Sequence, residues 1–235
     1  MYIPGYMKLL IVLAVLPGIL LMRYIYKLDV IEKEPKGLIV KLFIGGALST
    51  ITALILELAG GMILDVIFKS DTLLYLILEN FIVVACAEEA GKYAVLKQLT
   101  WTNREFNYLF DGVVYAVAVG LGFAILENVE YAFSYGLATT IVRALTAVPA
   151  HTIFAIFMGH FYGCAKRAEL QGRANHSKVD RKWALIIPIL LHGFYDFAAS
   201  GELDLSFVIF LVFIVLLDVI AFRSVRRYAR EDQSL

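Results

Sequence analysis

The sequence predicts an all-α, polytopic transmembrane helical bundle of about seven spans, forming one membrane-embedded domain over residues 1–235. Three observations lead there. The chain is 60% hydrophobic and only 18% charged, with a mean hydropathy of +0.77, too apolar for an ordinary soluble domain and far from a disordered one. Its apolar residues fall into successive runs long enough to cross a bilayer, which takes about 20 residues at 1.5 Å rise each. Its lysines and arginines crowd into alternate connections between those runs, the charge asymmetry that orients membrane proteins.

Taken in order, the runs are Tyr6–Tyr26, Leu38–Phe68, Leu73–Leu99, Leu109–Phe133, Ala138–Ala165, Trp183–Ser200 and Leu203–Phe222. The first ends in Met22-Arg23-Tyr24-Ile25-Tyr26-Lys27, an interfacial anchor without a small-residue cleavage site, so it is read as retained. The second carries Lys41, Glu57, Gly60-Gly61 and Asp65; it is expected to tilt, to break at the glycines, or to end in an interfacial turn. In the fifth, Pro149 is expected to kink the helix two residues before His151. Segment 100–108 is expected to lie flat at the interface.

The connections 27–37, 97–108 and 166–182 and the tail after Phe222 hold most of the basic residues, whereas the other side has little beyond Lys8 and Lys69. Positive residues stay in the cytoplasm, which places the N-terminus outside and the C-terminus inside. Trp101 and Trp183 then mark the cytoplasmic edge. The basic stretch from Lys166 to Lys182 is suited to lipid headgroups. With 21 basic and 21 acidic residues there is no net charge to attract a nucleic acid. Cys86 and Cys164 lie inside apolar runs without metal-binding spacing and are read as buried free thiols.

Charges placed deep in such runs cost at least ~2.5–3.5 kcal/mol each and usually face a bundle interior. The third run carries Glu88-Glu89-x-x-Lys92: Glu88 and Lys92 share a face at i, i+4, with Glu89 about 100° onward. A self-neutralising Glu–Lys pair explains one carboxylate and leaves the other in an expensive place. A buried carboxylate beside an ammonium can serve as a general base. The fourth run carries Gly120-Leu121-Gly122, suited to close helix approach, and then Phe123-x-x-x-Glu127-Asn128, in which Phe123 can shield Glu127 from lipid. An interhelical hydrogen bond without chemistry is the plainer account of Glu127 and Asn128. His151 stands near the middle of its run with Arg143 on roughly the same face, and His160 falls opposite it. The sixth run carries His192-x-x-x-Asp196, whose spacing suits two ligands of one metal, a ligand with an orienting carboxylate, or a simple His–Asp pair. By helix rise these groups share a middle band, with Glu127 leaning outward. Two histidines and a carboxylate suffice for catalytic zinc, with a further glutamate free to take a proton from water. No HExxH, GxSxG or GxGD element occurs.

These four ordered motifs resemble those of the PrsW family of bacterial intramembrane proteases. Asp29-x-x-Glu32-Lys33-Glu34-Pro35 and Asp111-Gly112 are similar to that family's flanking features. The more distantly similar type II CAAX prenyl endopeptidases have arginine where this chain has Lys92 and histidine where it has Glu127. The resemblance implies a peptidase in the bacterial cell membrane. It implies the site-1 cut in a single-pass, membrane-anchored anti-sigma factor, which activates an extracytoplasmic-function sigma factor. It further implies catalysis by Glu88 and Glu89 with Lys92 holding their charge, and metal or water binding by Glu127, His151 and His192 supported by Asp196. Zinc is the metal expected. Asn128, by position, is expected to polarise the scissile carbonyl. Two other readings stand beside this one: a prenyl-substrate endopeptidase, which needs a site open to the cytoplasm, and a non-enzymatic ion-binding or immunity protein, in which the same polar cluster is neutralised in pairs.

Overall fold

A computed structural model describes residues 5–70, 72–201 and 205–235. Helices account for nearly all of them: α1 (Gly5–Leu28), α2 (Lys36–Ile67), α3 (Leu73–Ile77), a π-helical segment (Leu78–Val84), α4 (Ala85–Thr100), α5 (Asp111–Leu145), α6 (Ala147–Leu170), α7 (Ala174–Ala199) and α8 (Ser206–Arg230). Among the described residues the only β-structure is an isolated bridge between Tyr108 and Ser234. Four stretches are long and apolar enough to cross a membrane: α1, α2, the joined α5–α6 stretch, and residues 207–230 of α8. The third expected span runs α3, π segment and α4 end to end, and α7 supplies the sixth. The start expected for the last span, Leu203, lies outside the described residues.

Helix α5 is the axis of the bundle. Every residue from Val113 to Ile125 is buried, because α1, α2, α4 and α6 all pack around it. Close packing follows from small residues, as expected for Gly122: a Cβ there would stand 2.0 Å from the Phe43 carbonyl oxygen of α2. Helix α2 continues unbroken through Gly60-Gly61 for 32 residues and ends in an extended Phe68, which removes the expected break.

Two chain breaks revise the expectations for α5 and α6. Gly136 adopts φ +80°, a left-handed conformation that favours glycine, and divides α5 near its end. Thr146 (φ −121°, ψ −64°) separates α5 from α6. Pro149 therefore does not kink a long helix. It sits in the first turn of α6, where its missing N–H costs nothing. His151 is accordingly one turn into α6 rather than at mid-span.

At the end of the bundle bearing the basic connections, three polar segments are knitted together. After α4 ends at Thr100, residues 101–108 form turns there. Asp111 accepts from the Asn107 and Tyr108 amides at 3.0 and 2.7 Å, and Tyr115 hydrogen-bonds the Glu34 carboxylate. Phe110 N donates to Asp232 of the C-terminal tail at 2.8 Å. Asp29 and Glu34 are buried in this clasp, and desolvation raises their carboxyls to about 6 and about 7. Elsewhere His160 stacks on Tyr228 with ring centroids 3.7 Å apart, fastening α6 to α8, and both cysteines are free thiols.

Candidate active site

The i, i+4 and i, i+3 spacings of α4 put Lys92 Nζ 2.9 Å from Glu88 Oε2 and 2.7 Å from Glu89 Oε1. All three side chains are buried. The ammonium has a third polar neighbour, His151 Nδ1 of α6, at 3.2 Å, and faces the Phe123 ring 3.9 Å from its centroid. Phe123 thus caps the lysine. With three acceptors and an aromatic face around one cation, the cost of burying the ammonium is largely offset.

Helix α7 brings His192 to the other side of the pair. Its Nδ1 lies 2.9 Å from Glu89 Oε1, while its Nε2 lies 3.1 Å from Asp196 Oδ2 and 3.9 Å from Glu88 Oε2. The rings of His151 and His192 stand edge to face with centroids 5.0 Å apart. The four residues Glu88, Glu89, His151 and His192 thereby offer ligand atoms that all lie within 4.8 Å of one another.

Two residues expected among the metal ligands stand one step back. Glu127 Oε2 accepts from His151 Nε2 at 3.0 Å and from Arg143 Nη2 at 2.8 Å, so its carboxylate is drawn behind the imidazole. Asp196 occupies the equivalent place behind His192. Asn128, adjacent to Glu127, points elsewhere: its Nδ2 donates to the Ala14 carbonyl of α1 at 3.1 Å. Neighbouring helical residues diverge by about 100°, and here that divergence makes one a partner of the site and the other a fastener between helices.

A cavity of about 520 Å³ opens beside the cluster. Glu88 lines it, whereas Glu89 and Lys92 do not. Ala147, the first residue of α6, and Ser200, just past α7, also line it, so it lies toward the helix ends opposite the basic connections. Several wall residues went unremarked as site components in the sequence: Glu57 of α2, Glu79 and Asn80 of the π segment, Tyr131 and Tyr195. Glu57 carried a signal, a carboxylate within an apolar run. Glu79 and Glu88 carried a misleading one, since nine residues of regular α-helix separate side chains by about 180°. The π segment, marked by the Ala85 amide donating to Asn80 O, takes up about 100° of that difference, and both side chains line one cavity.

The donor set suits a divalent metal: two carboxylates and two imidazoles are the ordinary ligands of zinc. Glu88, Glu89 and His151 already contact a cation, the Lys92 ammonium, so the site's charge is arranged for positive occupancy. Each histidine also has a carboxylate on its other ring nitrogen, the usual support for a metal-binding imidazole.

Buried carboxylates, imidazoles and a cavity inside an apolar helical bundle define the class, a membrane-embedded hydrolase. The comparisons narrow it. The family described as "PrsW family intramembrane metalloprotease" matches residues 34–220, and the chain belongs to that family. It is 33% identical to "Protease PrsW" of Oceanobacillus iheyensis over 211 residues, covering 90% of this chain and 92% of that one. It is 30% identical to the Clostridioides difficile protein of the same name, covering 97% and 95%. With the Bacillus subtilis protein, also named "Protease PrsW", identity is 31% over 79% and 80% of the two chains. No solved structure matches the chain. The protein is therefore a membrane peptidase.

Proposed function

We propose that this peptidase makes the site-1 cut in a single-pass, membrane-anchored anti-sigma factor, thereby releasing an extracytoplasmic-function sigma factor. The observation that carries the reading is the Glu88 carboxylate facing a cavity at the helix ends opposite the basic connections. If those connections are cytoplasmic, with the N-terminus outside and the C-terminus inside, the cavity admits substrate from the outer half of the bilayer of the cell membrane.

Glu88 is the general base in this reading. It takes a proton from a water in the cavity and returns it to the leaving amine. Glu89 is engaged by Lys92 and His192, so it fixes the second histidine rather than meeting the substrate. Lys92 balances the adjacent carboxylates and keeps both in place. His151 and His192, with Glu89, would hold zinc, which would supply a polarised water and stabilise developing charge on the carbonyl while Glu88 stays free to take the proton. Glu127, held by Arg143, sets the orientation of His151, and Asp196 sets that of His192. The substrate must reach Glu88 as an extended chain, because helical backbone is shielded by its own hydrogen bonds.

The test is reconstitution of the full chain in liposomes with a single-pass anti-sigma factor from the same cell. One cut on the extracytoplasmic side is expected, absent in Glu88→Gln. Cleavage of other membrane proteins with every anti-sigma factor left intact would overturn the substrate assignment and leave the peptidase standing.

A further inference from the structure

Helices α1 and α2 are consecutive and antiparallel, yet they scarcely touch. Each leans on α5 instead, and a groove of about 470 Å³ is left between them. Its walls are helical stripes at i, i+3, i+4 and i+7: Ile19, Met22, Arg23 and Tyr26 from α1, and Lys36, Ile39, Val40 and Phe43 from α2. The two stripes are graded. Lys36 opens α2, and Arg23 lies in the penultimate turn of α1, so both cations stand at the end bearing the basic connections. By helix rise Phe43 lies about 10 Å deeper than Lys36, and Ile19 about 6 Å deeper than Arg23.

The two cations are exposed and make no ion pair among the described residues. The nearby carboxylates are committed elsewhere: Glu34 is buried against Tyr115, and Glu32 accepts from Asn107 Nδ2 at 3.1 Å. No carboxylate lines the groove. An apolar slot one chain wide, ending in two unpaired cations at headgroup depth, complements an anionic phospholipid. We propose that the α1–α2 groove binds one such lipid, its phosphate at Arg23 and Lys36 and an acyl chain along Met22, Ile39, Val40 and Phe43.

Native mass spectrometry of the detergent-solubilised full chain, with phosphatidylglycerol and phosphatidylcholine in competition, tests this. A single phosphatidylglycerol adduct is expected to dominate. Each of Arg23→Gln and Lys36→Gln should weaken it about fivefold, the worth of one cation near an anionic headgroup. Lys97→Gln with Lys178→Gln, which removes two positive charges at the same end but outside the groove, should leave it intact. Val40→Trp, which fills the slot while keeping both cations, should abolish it. Equal adducts of both lipids, equal loss in the Lys97/Lys178 control, retention in Val40→Trp, or displacement by inorganic phosphate would each overturn the proposal.

Discussion

Lys92 Nζ lies 3.2 Å from His151 Nδ1, and this contact fixes the state of the imidazole. An ammonium has only protons to offer, so Nδ1 is the acceptor and the ring's own N–H sits at Nε2, donating to Glu127. The lone pair that could meet a metal thus points into the cluster, and the proton points away from it.

Glu88 and Glu89 are adjacent but differ in access, which separates their variants. Glu88→Gln preserves shape and removes the base, so kcat should fall by about 10²–10⁴ with the protein still accumulating in the membrane. Glu89→Gln should also lose activity, together with loosening of His192, read as broadened histidine resonances in labelled protein. Full activity in Glu88→Gln would end its assignment as base.

Metal content distinguishes the two hydrolytic schemes. Purified active protein is expected to carry about one zinc, to lose activity with a chelator and to regain it with zinc. His151→Ala and His192→Ala should lose the metal. Active preparations without any metal would leave Glu88 and water and remove the zinc scheme.

Arg143 and Asn128 flank Glu127 in space and in sequence, with opposite consequences. Arg143→Gln frees Glu127 and should lower metal affinity or kcat by about 10–100-fold, partly recovered in Arg143→Lys. Asn128→Ala removes a buried link to the Ala14 carbonyl and should cost about 1–3 kcal/mol of stability with kcat preserved. A collapse of kcat in folded Asn128→Ala would restore it to the chemistry.

The clasp of Asp29 and Glu34 gives the protein a pH dependence remote from the site. Burial raises their carboxyls to about 6 and about 7, so the folded state holds protons that the unfolded chain releases. This stabilisation is complete below the ordinary carboxylate range and is lost as pH rises through 6 to 7. Amide exchange of segment 103–111 should therefore quicken with pH beyond its chemical rate, by at most about tenfold per unit for one proton. In Glu34→Gln the part lost near pH 7 should disappear. An unchanged profile in that variant would place the titration elsewhere.

The all-helical bundle and the third, fourth and sixth runs were legible because apolar length and i, i+4 spacing are local properties. Glu88 with Lys92, and His192 with Asp196, meet as their spacing requires. What was not legible depends on events between helices. The expected mid-span His151 assumed a helix continuous from Ala138, whereas Thr146 interrupts it, and the short segment between Gly136 and Thr146 delivers Arg143 to Glu127. Asn128 and Glu127 are equally polar and adjacent, and only the position of α1 decides which faces inward. Glu57 reads in sequence as an isolated charge because its companions belong to other helices.

The π-helical segment has a consequence for how this chain tolerates change in length. The wide turn absorbs one surplus residue between Leu78 and Val84, so that the helix before it and the helix after it keep one continuous phase. Deleting a single apolar residue there would leave hydropathy and span length almost untouched. It would close the wide turn into regular α-helix and leave Glu88, Glu89 and Lys92 at the same angle to the residues before it, whereas a second deletion would swing them about 100° around the axis, away from both histidines. The candidate site thus has one residue of slack, held in a stretch whose side chains carry almost none of its chemistry.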